Sequence, residues 1–349
     1  MTRKTTEAVD DPQARPAGPR RSGQLSRGDG RVQIDLADAL RTWLGSALVV
    51  VAMVVAFSIA QPRFMSVLNW QNIAIQMSVL LVASIAGTFP ILVGSIDLSV
   101  GSVGTLTGII MALAMQHGGV MGALAIPISL LVGLGCGLLN GGLFALLKIP
   151  SFLVTLGTFF ALDGLGSWII HGVPISIPEN TTERIFDSIL GKLPTLFLWA
   201  GGVLVLGVLV CRYTRLGRHF YAIGGSEAAS MIAGVNVKLV KIVAFTLSGA
   251  LAGFAGMLLS LHTLSGSSQQ NAGLLLPSIG AIVIGGTALS GGVGGPHRTF
   301  VGVLLLTVLI NGMQLLSVDP YLQLVVEGAV VIVAVIISRE RVSVFAAVK

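Results

Sequence analysis

Of 349 residues, 54% are apolar and only 10% charged, and the mean hydropathy is +0.90. Soluble domains carry roughly 25% charged residues, so this composition excludes an ordinary soluble enzyme and fits a membrane protein with many spans. The net charge of +6 does not mark a nucleic-acid binder, because eight of the 21 Lys and Arg crowd into the first 41 residues.

Residues 1–42 are rich in Pro, Gly, Ser and Asp and are expected to form a disordered basic tail. A membrane crossing needs about 20 apolar residues. Ten candidates follow in order: 43–60, 71–93, 99–116, 120–147, 151–170, 195–211, 240–262, 274–290, 299–316 and 320–337. The third and eighth adjoin Gly-rich stretches that could be re-entrant, which leaves eight spans as the main rival count. The expectation is an all-α integral membrane protein, a polytopic bundle occupying 43–342, with residues 343–349 as a C-terminal tail. With the N-terminus inside, 18 Lys and Arg fall on the cytoplasmic side and three on the outer side, so both termini are placed in the cytoplasm. The longest outer loop, 171–194, carries Glu179, Glu183 and Asp187 and reads either as a connector or as a docking surface.

Two Gly-rich interruptions stand out, Gly94–Gly104 (GSIDLSVGSVG) and Gly285–Gly295 (GGTALSGGVGG). They follow the second and eighth spans. Matching interruptions in two halves point to an inverted repeat and a transport pathway, and Gly285 and Gly286 open the second one. The stripe Gly133, Gly137, Gly141 reads as a helix-packing face.

Between two long apolar runs lies the polar loop 212–241. Ser226 can cap a very short helix beginning at Glu227 and continuing through Ala228 and Ala229, and Gly234 can end it with positive φ. So short a helix is unstable alone in water. Held between two spans, it is suited to seat in a groove of a soluble partner.

Three carboxylates fall within or beside apolar runs: Asp97, Asp163 and Glu327. Each is a functional candidate, since a charge there costs about 2.5–3.5 kcal/mol on insertion scales. Asp97 in Ile-Asp-Leu-Ser can cap the helix that follows, or touch a solute. Asp163 and Glu327 have no Lys or Arg in mid-span to pair with, so a proton relay is an alternative. Ser99, Ser102, Asn140, Thr155 and Thr158 could bind a hydroxylated solute or simply hydrogen-bond neighbouring helices. The chain lacks G-x-x-x-x-G-K-[ST], H-E-x-x-H and G-x-S-x-G, its five histidines show no ligand spacing, and Cys136 and Cys211 form no disulfide framework. No catalytic, metal or cofactor site is therefore expected, and any ATP-driven work falls to another chain.

Four stretches, in this order and spacing, carry a family resemblance: Gly94–Ser102 (GSIDLSVGS), Thr214–Arg218 (TRLGR), Tyr221–Val235 with its Glu227-Ala-Ala, and Ile284–Gly292 (IGGTALSGG). Over about residues 43–342 the chain resembles the permease subunit of ribose-type carbohydrate ABC importers. The resemblance implies a permease homodimer or heterodimer in a bacterial plasma (inner) membrane. It also implies an ABC ATPase subunit holding ATP and Mg, and a periplasmic or lipid-anchored solute-binding protein. Residues Ser226–Gly234 would be the coupling helix, and alternating access the mechanism. Acids at Asp163 and Glu327 depart from the family's usual pattern, which leaves pentoses, hexoses and polyols open. A branched-chain amino-acid permease and a proton-coupled carrier are the competing readings.

Overall fold

The computed structural model describes residues 36–118, 122, 124–178, 194–269 and 272–346. Contacts divide the chain into Met1–Trp43 and Leu44–Lys349, and the second unit holds the fold described here. Tail residues 1–35, the loop carboxylates Glu179, Glu183 and Asp187, and Lys349 lie outside the described residues.

Helices occupy nearly all of the rest. They are α1 (Leu36–Ala60), α2 (Val67–Leu92), α3 (Val100–His117), α4 (Ala125–Leu147), α5 (Ser151–Ile169) and α6 (Thr195–Tyr213), then the short α7 (Arg215–Gly225) and α8 (Glu227–Ile232), and finally α9 (Val237–Thr263), α10 (Leu275–Ile284), α11 (Pro296–Leu315) and α12 (Pro320–Ala346). A two-residue antiparallel ribbon pairs β1 (Ile175–Ser176) with β2 (Ser265–Gly266) against α3. The fold is all-α and polytopic, and each of the ten expected apolar runs contains a helix.

By length and composition seven of these helices can cross a membrane: α2, α3, α4, α5, α6, α9 and α11. The apolar stretches Ala47–Ala60, Leu275–Ile284 and Pro320–Ile336 are shorter. The eighth expected span, 274–290, is corrected by this. At 1.5 Å per residue α10 is only about 15 Å long, half a bilayer core. Its end is set by Gly286, which takes φ +86. Gly286 N–H bonds to Val283 O and Thr287 N–H to Ile282 O, the paired carbonyl-capping bonds of a glycine-terminated helix.

At the centre stands α2, buried on nearly every side from Met77 to Leu92. It packs against α6, α9, α10 and α11. Alongside it, α4 and α9 approach until their backbones touch. A methyl added at Gly137 would lie 2.3 Å from Phe245 O and 3.0 Å from Gly249 Cα, and one at Gly133 would lie 2.6 Å from Gly249 O. Gly133, Gly137 and Gly141 therefore form the packing stripe their spacing predicts, with Gly249 and Gly253 opposite. In lipid, where apolar surface gains nothing by leaving its surroundings, such backbone proximity is what holds helices together. The outer faces of α4, α5, α6 and α12 are apolar and exposed in the isolated chain, Leu131, Phe160, Leu206 and Leu324 among them.

Candidate functional site

Two short helices, α7 and α8, build the loop between α6 and α9, and each of α7, α8 and α9 is started by a side chain that accepts from its first turn. Thr214 Oγ1 accepts from Gly217 N at 3.2 Å, Ser226 Oγ from Ala229 N at 3.2 Å, and Asn236 Oδ1 from Leu239 N at 3.1 Å. Glu227 sits in the first turn of α8, where the helix dipole favours a negative charge. Its Oε2 also meets Lys241 Nζ at 2.7 Å, joining α8 to the start of α9. Gly234 closes α8 at φ +81, with Gly234 N–H on Met231 O and Val235 N–H on Ser230 O. Glu227, Ala228 and Ala229 are exposed, as are Met231 and, at 89%, Ile232. A six-residue helix pinned at both ends thus holds two large apolar side chains out from the bundle.

The first Gly-rich interruption begins in the same manner as the second. Gly94, at φ +73, ends α2 with Ser95 N–H on Pro90 O and its own N–H on Ile91 O. Asp97 then turns the chain into α3. Its Oδ1 accepts from Ser99 N at 2.9 Å and Ser99 Oγ at 2.6 Å, and its Oδ2 accepts from Ser248 Oγ at 2.7 Å. Asn140 Nδ2 donates to Ser99 Oγ at 2.8 Å, and Thr158 Oγ1 donates to Asn140 Oδ1 at 2.6 Å. Leu98 N donates to Thr155 Oγ1 at 3.1 Å, Ile96 N to Ser151 Oγ at 3.2 Å, and Ser102 Oγ to Ser99 O at 3.0 Å. Asp97, Ser99, Ser102, Asn140 and Thr155 are all buried, and Thr158 is half-buried.

Six of the expected pathway residues therefore form one polar network. It binds the interruption to α4, α5 and α9 and spends its donors on protein acceptors. Ser151 and Ser248 also belong to it and are not among the expected residues. Asp163 and Glu327 stand apart from the network. Both are half-buried, and among the described residues neither has a hydrogen bond or ion pair. They lie on different flanks, since α5 packs on α3 and α4 whereas α12 packs on α10 and α11.

A family profile described as the permease component of the branched-chain amino acid transport system matches residues 69–335. The chain belongs to this permease family. The permease is 36% identical over 296 residues to the probable ABC transporter permease protein YphD of Escherichia coli K12, covering 84% of this chain and 88% of that one. It is 33% identical over 309 residues to the ribose import permease protein RbsC of the same organism, covering 86% and 96%. It is also 33% identical over 305 residues to the L-arabinose ABC transporter permease protein AraH of Azospirillum brasilense, covering 85% and 87%. No solved structure matches it significantly.

In this permease the two interruptions and α7 meet at one point. Gly292 N–H donates to Leu92 O at 3.0 Å, which joins the second interruption to the end of α2. A methyl on Gly224, in the last turn of α7, would lie 2.1 Å from Leu92 O and 2.2 Å from Gly292 N. One on Gly291 would lie 2.6 Å from Gly94 N and 2.9 Å from Gly224 Cα. Tyr221, one turn earlier on α7, donates its hydroxyl to Gly294 O at 3.0 Å. Burial pushes the pKa of that phenol up, with the Cys211 thiol beside it adding to the effect, so the hydroxyl keeps its proton. Arg298 Nη1 holds Gly286 O at 3.1 Å at the other end of the interruption.

Proposed function

We propose that this chain is the membrane-spanning permease subunit of an ATP-binding cassette importer for a small carbohydrate. Its α8 is the coupling helix that seats in a partner ATPase, with Ser226, Glu227, Ala228, Ala229 and Gly234 shaping the contact. The observation that carries this reading is the doubly capped α8 with Met231 and Ile232 exposed in its last turn. An isolated six-residue helix would unravel in water, and the chain fixes this one at both ends while leaving its apolar side chains uncovered. Relatives whose names state a solute are called ribose import and L-arabinose permeases, which supports a pentose or similar sugar.

ATP and Mg bind in the ATPase subunit, and a periplasmic or lipid-anchored binding protein delivers the solute. Two permease chains form the pathway in the bacterial inner membrane, with both termini and α8 in the cytoplasm. The lysine and arginine distribution supports that orientation. Asp163 and Glu327, which have no hydrogen bond or ion pair among the described residues, face the route or the seam between the two chains. The buried network around Asp97 holds the first interruption in shape as the seam opens and closes.

The test is purification of the tagged chain from its native membrane, followed by reconstitution into proteoliposomes. Co-purification of an ATPase and uptake of radiolabelled D-ribose or L-arabinose that needs ATP is the expected result. Uptake of leucine or isoleucine in place of sugar would favour the amino-acid branch of the family. Uptake without ATPase and abolished by a protonophore would replace the importer with a proton-coupled carrier using Asp163 and Glu327.

A further inference from the structure

We infer that α7 carries the movement of the coupling helix to both Gly-rich interruptions at once, with Tyr221 as the positioning residue that straps it to the second. This rests on the reading of α8 as the contact with the ATPase. The chain runs from Gly225 directly into Ser226, so α7 and α8 share a boundary without an intervening loop. Any displacement of α8 therefore passes directly into the last turn of α7.

That turn is where the main chain of the first interruption, of α7 and of the second interruption come together. Gly224 lies against Leu92 O and Gly292 N, and Gly291 lies against Gly94 and Gly224, with no room for a Cβ at either position. Contacts of this kind transmit displacement well. Packed main-chain atoms have no rotamers to absorb it, and protein interiors of this density are stiff. Two further attachments stop α7 from sliding out of the junction. Phe220 is fully buried against Phe89 of α2, their ring centroids 5.9 Å apart. Tyr221 donates to Gly294 O.

The division of labour follows from chemistry. The Phe220–Phe89 contact is non-directional and follows the first interruption through α2. The Tyr221 hydrogen bond is directional and reaches a segment of consecutive glycines, Gly294 and Gly295, held at φ +118 and +135. Such backbone has many conformations open to it, so without the strap the Gly294–Gly295 end of the second interruption, which leads into α11, would follow α7 less closely than the packed Gly291–Gly292 end does. The same segment leads into α11, whose first turn is fastened to the interruption by Arg298 on Gly286 O.

The test uses the whole complex in proteoliposomes with its co-purified ATPase and binding protein. ATP hydrolysis and uptake of radiolabelled D-ribose and L-arabinose are measured together. Tyr221→Phe keeps the ring and removes only the donor. It is expected to retain the ATPase subunit and ordinary hydrolysis, while sugar imported per ATP falls about fivefold, the scale of one lost hydrogen bond. Gly224→Ala is expected to lower the same ratio. Gly225→Ala, whose added methyl meets nothing within 4 Å, is expected to leave it alone. An unchanged sugar-to-ATP ratio in Tyr221→Phe overturns the proposal and leaves the coupling-helix reading standing. Loss of the ATPase from Tyr221→Phe also overturns it, since the residue would then act on docking. A wild-type chain that binds no ATPase and imports without ATP overturns the coupling-helix reading, and this proposal with it.

Discussion

Replacing Gly137 by Ala tests whether α4 and α9 are held by backbone proximity. The added methyl would sit 2.3 Å from Phe245 O and 3.0 Å from Gly249 Cα, where ordinary contact begins at 3.4 Å. The helices must part by about 1 Å, and α9 cannot retreat freely because α2 and α3 pack on its other sides. Overpacking of this sort costs about 1–3 kcal/mol. Opposing it is the better helix propensity of Ala over Gly, worth up to about 1 kcal/mol. Gly135→Ala isolates that second effect, because a methyl there meets nothing within 4 Å. The difference between the two variants removes propensity and leaves about 2 kcal/mol of overpacking. At about 2–4 °C per kcal/mol, Gly137→Ala should melt about 4–8 °C below Gly135→Ala. Thermal unfolding followed by tryptophan fluorescence in one detergent measures this. Equal midpoints, or a higher one for Gly137→Ala, would refute close backbone contact at this seam.

Asp97→Ala strands Ser99 N–H and Ser248 O–H in a buried place, and each such orphan costs about 1–3 kcal/mol. The variant should melt several degrees below wild type, with Asp97→Asn between the two, and an unaltered Asp97→Ala midpoint would count against the network. Glu227→Gln weakens an ion pair whose acid is half exposed, worth under about 1 kcal/mol. Its melting point should hardly move while less ATPase co-purifies, whereas full ATPase recovery would remove Glu227 from the contact. Asp163→Asn and Glu327→Gln relieve the cost of a charge inside the membrane, about 2.5–3.5 kcal/mol on insertion scales. Each should keep or raise the melting point while sugar uptake falls, and unchanged uptake would take that carboxylate out of the pathway.

Much of this architecture is legible in the chain because the signals are local. Ser226 three residues before Ala229, and Gly234 where φ must turn positive, bound α8 to within a residue of its actual end. Glycines at every fourth position of α4 identify its packing face without knowledge of the partner. The length of α10 was obscured for a physical reason. Apolar character continues through Ala288 and Leu289, and hydropathy does not register that Gly285 and Gly286 stop the helix. The network around Asp97 was half legible. Its members were recognisable as polar residues in an apolar setting, but the partners that join it to other helices lie up to 151 positions away, and Ser248 gives no sign of its role. The meeting of Gly94, Gly224 and Gly291 is purely tertiary. No pattern within any one of those segments specifies the other two.

The placement of α2 bears on how the protein is made. It is the second long apolar helix to leave the ribosome, yet the helices that bury it, α6, α9, α10 and α11, are synthesised after it. Until they arrive, α2 has to remain in lipid beside an unfinished bundle. Its sequence suits that wait. Ser78 bonds back to Ala74 O and Thr88 to Ser84 O, so these hydroxyls need no neighbour to satisfy their donors in hydrocarbon. Thr299 of α11 reaches the Thr88 hydroxyl only once the chain is nearly complete. The bundle can therefore close late in biogenesis around a helix that was stable in the bilayer from the start.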